Sequence, residues 1–280
     1  MRELNTILAT LNMSILDDEV IKRAILMAKE TGAQLHFIHA VDISVIDIEI
    51  TSKFLKQKID EEGIKKQIVQ KIDMLNGTLE YIVHIRVGDA TEQVIHTAQK
   101  IRADLIILGS HSKTKIEDYY LGSTVNNIAQ KSGLPILVIK NSVQGIYKNI
   151  LAPTDFSSSS KKSVLFSQIA FKSSPIELVN VYDELDDMTI EFSQLNTELL
   201  GSPLVNIFKK EVGITRVEMI KNPSSINTTL LKYIKTKKSD LIVLGSRGSD
   251  IAGSFLGSTT AYLLRNSQSD VLIYIPLNQE

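Results

Sequence analysis

One pattern occurs twice, about half a chain apart. Asp240 to Leu244 is a short apolar stretch with the β-rich composition of a buried parallel strand, and Gly245 ends it. Gly248 lies three residues on. After eight more residues Gly257, Ser258 and Thr259 open a helical pattern continued by Ala261, Leu263 and Leu264. The earlier copy runs from Asp104 to Leu108, then Gly109, Ser110, His111 and Ser112, then nine residues, then Gly122, Ser123 and Thr124. A strand that passes through a glycine-punctuated loop into a hydroxyl-bearing helix start suits an anion. Glycine lets the backbone approach a phosphate closely, while free N–H groups and the helix dipole favour negative charge.

Length agrees with a duplicated chain. The 280 residues give two domains of about 140 residues, each large enough for its own core. A hydrophobic fraction of 43% is globular, and no apolar run approaches the ~20 residues of a membrane span. The first residues enter a strand pattern at once (Leu4 to Thr10), so no signal peptide is expected. There is no cysteine, hence no disulfide, thiolate nucleophile or cysteine-based zinc site, and both points suit a reducing cytoplasm. With 31 basic and 32 acidic residues the formal net charge is −1, which lacks the basic field that nucleic acid requires.

In the first half, periodicity predicts a strand over residues 4–10 and an amphipathic helix from Asp17 to Thr31 closed by Gly32. A strand from Gln34 to Val41, a long helix over about residues 48–75 that Gly63 bends or interrupts, and a strand over residues 79–87 follow. A helix from Glu92 to Ile101, the Asp104 to Leu108 strand, a helix from Ser123 to Lys131 and a strand from Ile136 to Ile139 complete it. From Tyr147 the order restarts. Strands are expected over residues 148–153, 176–182, 215–221, 240–244 and 271–275, and helices over 157–171, 189–212, 225–236 and 258–265. Gly201, Ser202 and Pro203 break the second of these helices. Each half is therefore an α/β, Rossmann-like domain: a doubly wound five-stranded parallel sheet with right-handed crossovers and helices on both faces. Ligands in such sheets bind beyond the carboxyl ends of the strands, at the switch point. The domains are residues 1–142 and 146–280. Their connection, Asn141 to Gly145, is too short for a freely swinging domain, so a pseudo-two-fold pair is expected.

Ile150, Leu151, Ala152, Pro153, Thr154, Asp155, Phe156 and Ser157, with Gly245, Gly248, Gly257 and Ser258, carry a resemblance to the universal stress protein family. It covers essentially the whole chain, as two family domains in tandem. The family's loop signature is glycine, two residues, glycine, nine residues, then glycine with serine or threonine. The second half has an eight-residue spacer. The first keeps nine, but has Ser112 for the second glycine and Leu11 and Asn12 where the other half has Thr154 and Asp155. The resemblance implies the adenine nucleotide alpha hydrolase-like version of the fold. It also implies binding of ATP, AMP or ADP, Mg²⁺ accompanying the nucleotide, and no dedicated catalysis. Carried over residue by residue, Asp155 lies near the ribose or adenine end, and main-chain groups around Pro153, Thr154 and Tyr182 hold the base. Leu244, Gly245, Arg247 and Gly248 line the phosphate side, with Gly257, Ser258 and Thr259 closing around it. The weaker first-half counterparts are Asn12, Val41, Gly109, Ser112, Gly122, Ser123 and Thr124, with Lys113 and Lys115 in the loop but no strand-one carboxylate. Paired domains in the family usually dock through their fifth strands, and further pairing into a homodimer is left open.

Each feature has a plainer reading. Gly109 and Gly245 relieve crowding at strand ends, and Ser123 and Ser258 are ordinary N-caps. Ser157 serves a turn or cap, and Asp104 and Asp240 are solvated or capping groups. All five histidines (His36, His39, His84, His96, His111) fall in the first half, and His36 or His39 is placed to approach His84. Strand alternation sends the first two to opposite faces, so no metal site is expected. Tyr119 and Tyr120 read as loop-to-core packing. No Walker A motif, nucleophile elbow or His-Glu-x-x-His occurs. Three functions are carried forward: a nucleotide-binding stress regulator, a stress scaffold whose nucleotide sites have decayed, and a slow ATPase.

Overall fold

The computed structural model describes residues 3–41, 60–75, 77–110, 123–182, 201–214, 216–246 and 256–276. The chain divides into two compact units at the boundary between Gly145 and Ile146. No helix among the described residues is long and apolar enough to cross a membrane.

The first unit runs β1 (Thr6–Leu11), α1 (Asp17–Thr31), β2 (Gln34–Val41), α2 (Glu61–Leu75), β3 (Tyr81–Val87), α3 (Ala90–Lys100), β4 (Leu105–Gly109), α4 (Ser123–Lys131) and β5 (Ile136–Ile139). Its strands are parallel in the order β3-β2-β1-β4-β5. Apolar β-branched runs drive this: Ile7, Leu8, Leu105, Ile106 and Ile107 are wholly buried, as strands covered on both faces require. Helix α1 contributes Val20, Ile21, Ala24 and Ile25 from one stripe. It stops at Gly32, whose φ of 80° is the left-handed cap that glycine adopts without strain. Glu19 and Arg23 of α1 hold the connecting segment, accepting from Val143 N and donating to Gly145 O.

The second unit repeats the plan: β6 (Ile150–Pro153), α5 (Ser158–Ala170), β7 (Ile176–Tyr182), α6 (Pro203–Val212), β8 (Val217–Lys221), α7 (Ile226–Lys237), β9 (Leu241–Gly245), α8 (Ser258–Asn266) and β10 (Asp270–Tyr274). Its strand order is β8-β7-β6-β9-β10, again parallel. The registers coincide. Ile7 lies opposite Leu35 and Leu105, and Ile150 opposite Ile176 and Leu241. In each unit the winding reverses between the first and fourth strands, so β1/β4 and β6/β9 are the switch points.

The structure refines the expected boundaries. Asp104 and Asp240 stand just before β4 and β9, their main-chain N–H groups on Thr6 O and Asn149 O and their carboxylates on amides ahead of the neighbouring first strands. Asp104 Oδ2 accepts from Asn5 N and Thr6 N at 2.9 and 3.0 Å, and Asp240 accepts from Lys148 N and Asn149 N at 2.7 and 2.9 Å. Asp60 is outside α2 and receives Gly63 N at 2.8 Å, so Gly63 sits in the first turn of a capped helix. Residues 48–59 of the expected long helix, and 189–200 of the second, lie outside the described residues. The break at Gly201 to Pro203 is a helix start: Ser202 is the N-cap of α6 and accepts from Val205 N at 3.3 Å.

Candidate functional site at the second switch point

Three strand ends and one helix start carry the described residues expected at the second unit's site. Pro153 closes β6 and Thr154 follows it, buried, with its N–H on Val179 O at 2.8 Å. Thr154 Oγ1 accepts from Phe156 N (2.9 Å) and lies 3.0 Å from Ser160 Oγ, while Asn180 Nδ2 donates to Thr154 O (2.7 Å). Both main-chain groups of Thr154 are therefore engaged within the unit. Tyr182 O accepts from Asn222 N at 2.8 Å, as Val41 O accepts from Gly88 N at 3.0 Å in the first unit.

Asp155 is exposed, and its Oδ1 accepts from Ser157 N at 3.0 Å, an Asx turn. Among the described residues nothing accepts from its own N–H. The loop closes because Phe156 takes a left-handed φ of 60°, setting its ring edge-on to Phe208 at 5.4 Å. Ser157 then caps α5 by accepting from Ser160 N at 3.2 Å, the plainer role foreseen for it.

Helix α5 lies close against β9 because it turns small residues inward. Ser163 and Ser167 are fully buried and satisfy their hydroxyls on Ser160 O and Val164 O, at 2.8 and 2.6 Å. A Cβ at Gly245 would stand 2.5 Å from Ser159 Oγ, and one at Gly109 would stand 3.3 Å from Leu16 Cβ. Both glycines thus answer to helix packing at the strand end. Leu244 is buried behind Gly245.

Beyond β9, Ser246 N donates to Tyr274 O (2.8 Å) and Gly257 N returns to Ser246 O (2.7 Å), so the two ends of the glycine loop are tied together. Thr260 Oγ1 adds a bond to Gly245 O at 2.8 Å. These bonds seat the start of α8 on the end of β9. Gly257, not Ser258, is the N-cap, with φ −61° and ψ 152°, and among the described residues no side chain caps the helix. Ser258 is exposed and Thr259 half-buried. Thr260 was not anticipated from the sequence. The signal available was a third consecutive hydroxyl residue after Gly257, where the first half has Val125. Arg247 and Gly248 lie outside the described residues.

The first switch point is built differently. Leu11 is buried where Thr154 stands in the other unit, and Asn12 Oδ1 makes the matching Asx turn to Ser14 N (3.1 Å). Met13 repeats the left-handed φ, at 61°. The residue the sequence reading passed over is Asp17: 2% exposed, it accepts from Asn12 N and Met13 N at 3.1 and 2.9 Å. Burial raises its pKa, against the backbone hydrogen bonds and Lys71, which lower it. Thr124 is half-buried in α4. Ser112 and Gly122 lie outside the described residues, as do His111, Lys113, Lys115, Tyr119, Tyr120 and the side chain of Ser123.

The histidines resolve by face. His36 Nδ1 lies 2.9 Å from His84 Nε2, with the rings stacked at 5.2 Å and 4°, while His39 Nδ1 turns to Leu11 O at 2.9 Å. Burial lowers the His36 pKa. Burial and then the neighbouring His36 lower that of His84 to about 4. Among the described residues no group of three or more His, Cys, Asp or Glu could hold a metal ion.

The sequence pattern of the universal stress protein family matches residues 3–140 and again residues 146–274. The chain belongs to the universal stress protein family. Among its relatives, universal stress protein MJ0531 of Methanocaldococcus jannaschii is 28% identical over 127 residues, 44% of this chain and 74% of that protein. Universal stress protein MJ0577 of the same organism is 35% identical over 86 residues, 31% of this chain and 53% of that one. Two-unit structures align over nearly the full length. A universal stress protein from Archaeoglobus fulgidus has a TM-score of 0.70 at 20% identity, covering 99% of this chain and 98% of its own. A functionally unknown protein from Pseudomonas aeruginosa has a TM-score of 0.72 at 16% identity, covering 98% and 93%. These likenesses establish the Rossmann-like fold of the family's two domains.

Proposed function

We propose that the second unit binds an adenine nucleotide, ATP with its Mg²⁺, at the β6/β9 switch point, and that the chain acts as a stress-response regulator without dedicated catalysis. One observation carries this reading: an N-terminus of α8 with no side-chain cap is fastened to the end of β9, through Gly257 N to Ser246 O and Thr260 Oγ1 to Gly245 O. Uncapped first-turn amides and the positive end of the helix dipole are chemistry for phosphate. The N–H of Asp155 and its Oδ2, which have no partner among the described residues, would supply the polar contacts of a ribose. Gly257, Ser258 and Thr259 would hold the phosphates, and Asp155, with the end of β7 at Tyr182, the nucleoside.

Isothermal titration with ATP and Mg²⁺ tests the reading. Saturable binding that is lost in Gly248→Val is expected; no heat at millimolar ligand would defeat it. A scaffold role with a decayed site is favoured for the first unit alone, where Asp17 occupies the amides of Asn12 and Met13. Nucleotide that travels with the purified chain adds 260 nm absorbance, conspicuous in a protein without tryptophan. The slow-ATPase alternative predicts phosphate release that disappears in Asp155→Ala.

A further inference from the structure

The two units can be laid over one another by bonds rather than by sequence. Both strand-one loops make an Asx turn, Asn12 to Ser14 and Asp155 to Ser157, and both place the next residue at a left-handed φ, 61° at Met13 and 60° at Phe156. Both first helices press on the glycine that ends the fourth strand, Leu16 on Gly109 and Ser159 on Gly245. Counting from these anchors, Asp17 stands where Ser160 stands.

The two side chains treat the loop amides oppositely. Ser160 is neutral and takes no loop amide: its Oγ donates to Ser157 O at 3.0 Å and lies 3.0 Å from Thr154 Oγ1 and 3.4 Å from Ser157 Oγ. Phe156 N is taken by Thr154 Oγ1, and among the described residues nothing accepts from the Asp155 N–H. Asp17 instead brings a buried carboxylate beneath the loop and takes both equivalent amides, Asn12 N and Met13 N, with the Ser14 hydroxyl at 3.5 Å. Among the described residues Lys71 is the cation that acts on Asp17, and its ammonium is paired with Asp18 at 2.9 Å. The first switch point already holds an internal anion.

We propose that Asp17 is a specificity-determining residue that shuts the first unit to polyanions, so that the chain carries its adenine nucleotide at one site and not two; this rests on the nucleotide reading of the second unit. Two effects act together. The amides that an incoming phosphate or ribose would use are occupied, and a carboxylate withdrawn from water repels a second anion more strongly than an exposed one.

Equilibrium dialysis of the full chain against ATP with Mg²⁺ counts the sites. The wild type is expected to take one ATP per chain, and Asp17→Ser and Asp17→Asn a second. Thermal unfolding of each variant confirms that it is folded. The reciprocal change is made in the second unit: Ser160→Asp should weaken ATP at least tenfold more than Ser160→Asn, which has the same shape without the charge. Two sites in the wild type, a single site in folded Asp17 variants, or equal affinity of Ser160→Asp and Ser160→Asn would each overturn the assignment. A wild type that takes no ATP beside an Asp17→Ser chain that takes one would sink the reading of the second unit and uphold this one. No ATP in either would sink both.

Discussion

Gly245 lies against Ser159: a Cβ on the glycine would meet the serine hydroxyl at 2.5 Å and its backbone carbonyl at 3.3 Å. The residue that opens the phosphate-type loop is thus a glycine for a packing reason as well, because α5 crosses the end of β9 at backbone distance. Gly245→Ala should destabilise the second unit by about 1–3 kcal/mol, the cost of overpacking. Ser159→Ala should recover part of that loss, leaving the backbone contact. Gly109→Ala, which meets Leu16 Cβ at 3.3 Å, should cost about 1 kcal/mol or less. Denaturant unfolding of the three single variants and the double variant decides it; equal costs at 245 and 109 would contradict the packing account.

Thr260→Val removes the bond to Gly245 O while keeping the side-chain volume. The residue is 5% exposed, so the carbonyl loses a buried partner, at a cost of about 1–2 kcal/mol. Since this bond seats α8 on β9, ATP affinity should fall with it. Unchanged ATP affinity in a folded Thr260→Val would show that Gly257 N alone seats the helix.

Asp104 and Asp240 perform the same task at the opposite end of the sheets from the switch points, each receiving two main-chain amides ahead of β1 or β6. Asp104 is 5% exposed and Asp240 half-buried, so removal should not cost the same. Asp104→Ala should lose about 2–4 kcal/mol and Asp240→Ala about 1 kcal/mol, since hydrogen bonds to charged groups weaken where water competes. Neither change should alter the number of ATP sites. Urea midpoints measure the first claim and dialysis the second.

The His36–His84 pair makes stability depend on pH in a defined direction. Both folded-state pKa values lie below the usual 6.5, His84 at about 4, so the unfolded chain takes up protons first as pH falls. The stabilisation is therefore full above about pH 6.5 and is lost as pH drops toward 4. A shift of that size is at most ~3 kcal/mol, and solvent at this half-buried site should reduce it to about 1–2 kcal/mol. Asp17 acts in the opposite sense: its raised pKa favours the folded state fully below 3.8, and that contribution is lost as pH rises through the raised value, so the histidine effect is read between pH 6.5 and 5. Unfolding midpoints across that interval should fall for the wild type and flatten in His84→Gln. An equally steep fall in the variant would assign the dependence elsewhere.

Much of the fold was legible along the chain because it rests on local chemistry. The helix from Asp17 to Thr31 and the strands Gln34–Val41 and Ile176–Tyr182 fall where apolar period and a glycine cap place them. Strand ends were less legible. Asp104 and Asp240 read as the first residues of an apolar run, and nothing in that run shows that their carboxylates gather two amides ahead of a neighbouring strand. At the site, the glycines and hydroxyls were visible as a pattern, but their duties were not. Ser258 reads as a cap until Gly257 takes that position. Thr260 reads as one more hydroxyl until the carbonyl of Gly245 is found above it.

Asp17 marks the division most sharply. By itself the sequence determined two α/β units, because strand and helix periods, glycine stops and a repeated motif are properties of neighbouring residues; the family followed from the resemblance of its motifs. Which unit folds a carboxylate onto its first-strand loop amides was decided only in three dimensions. Asp17 and Ser160 are each an unremarked residue in the first turn of a helix, and their difference appears when a buried side chain is folded back beneath its own strand end. A carboxylate there must gather amides to offset its desolvation, and a hydroxyl need not.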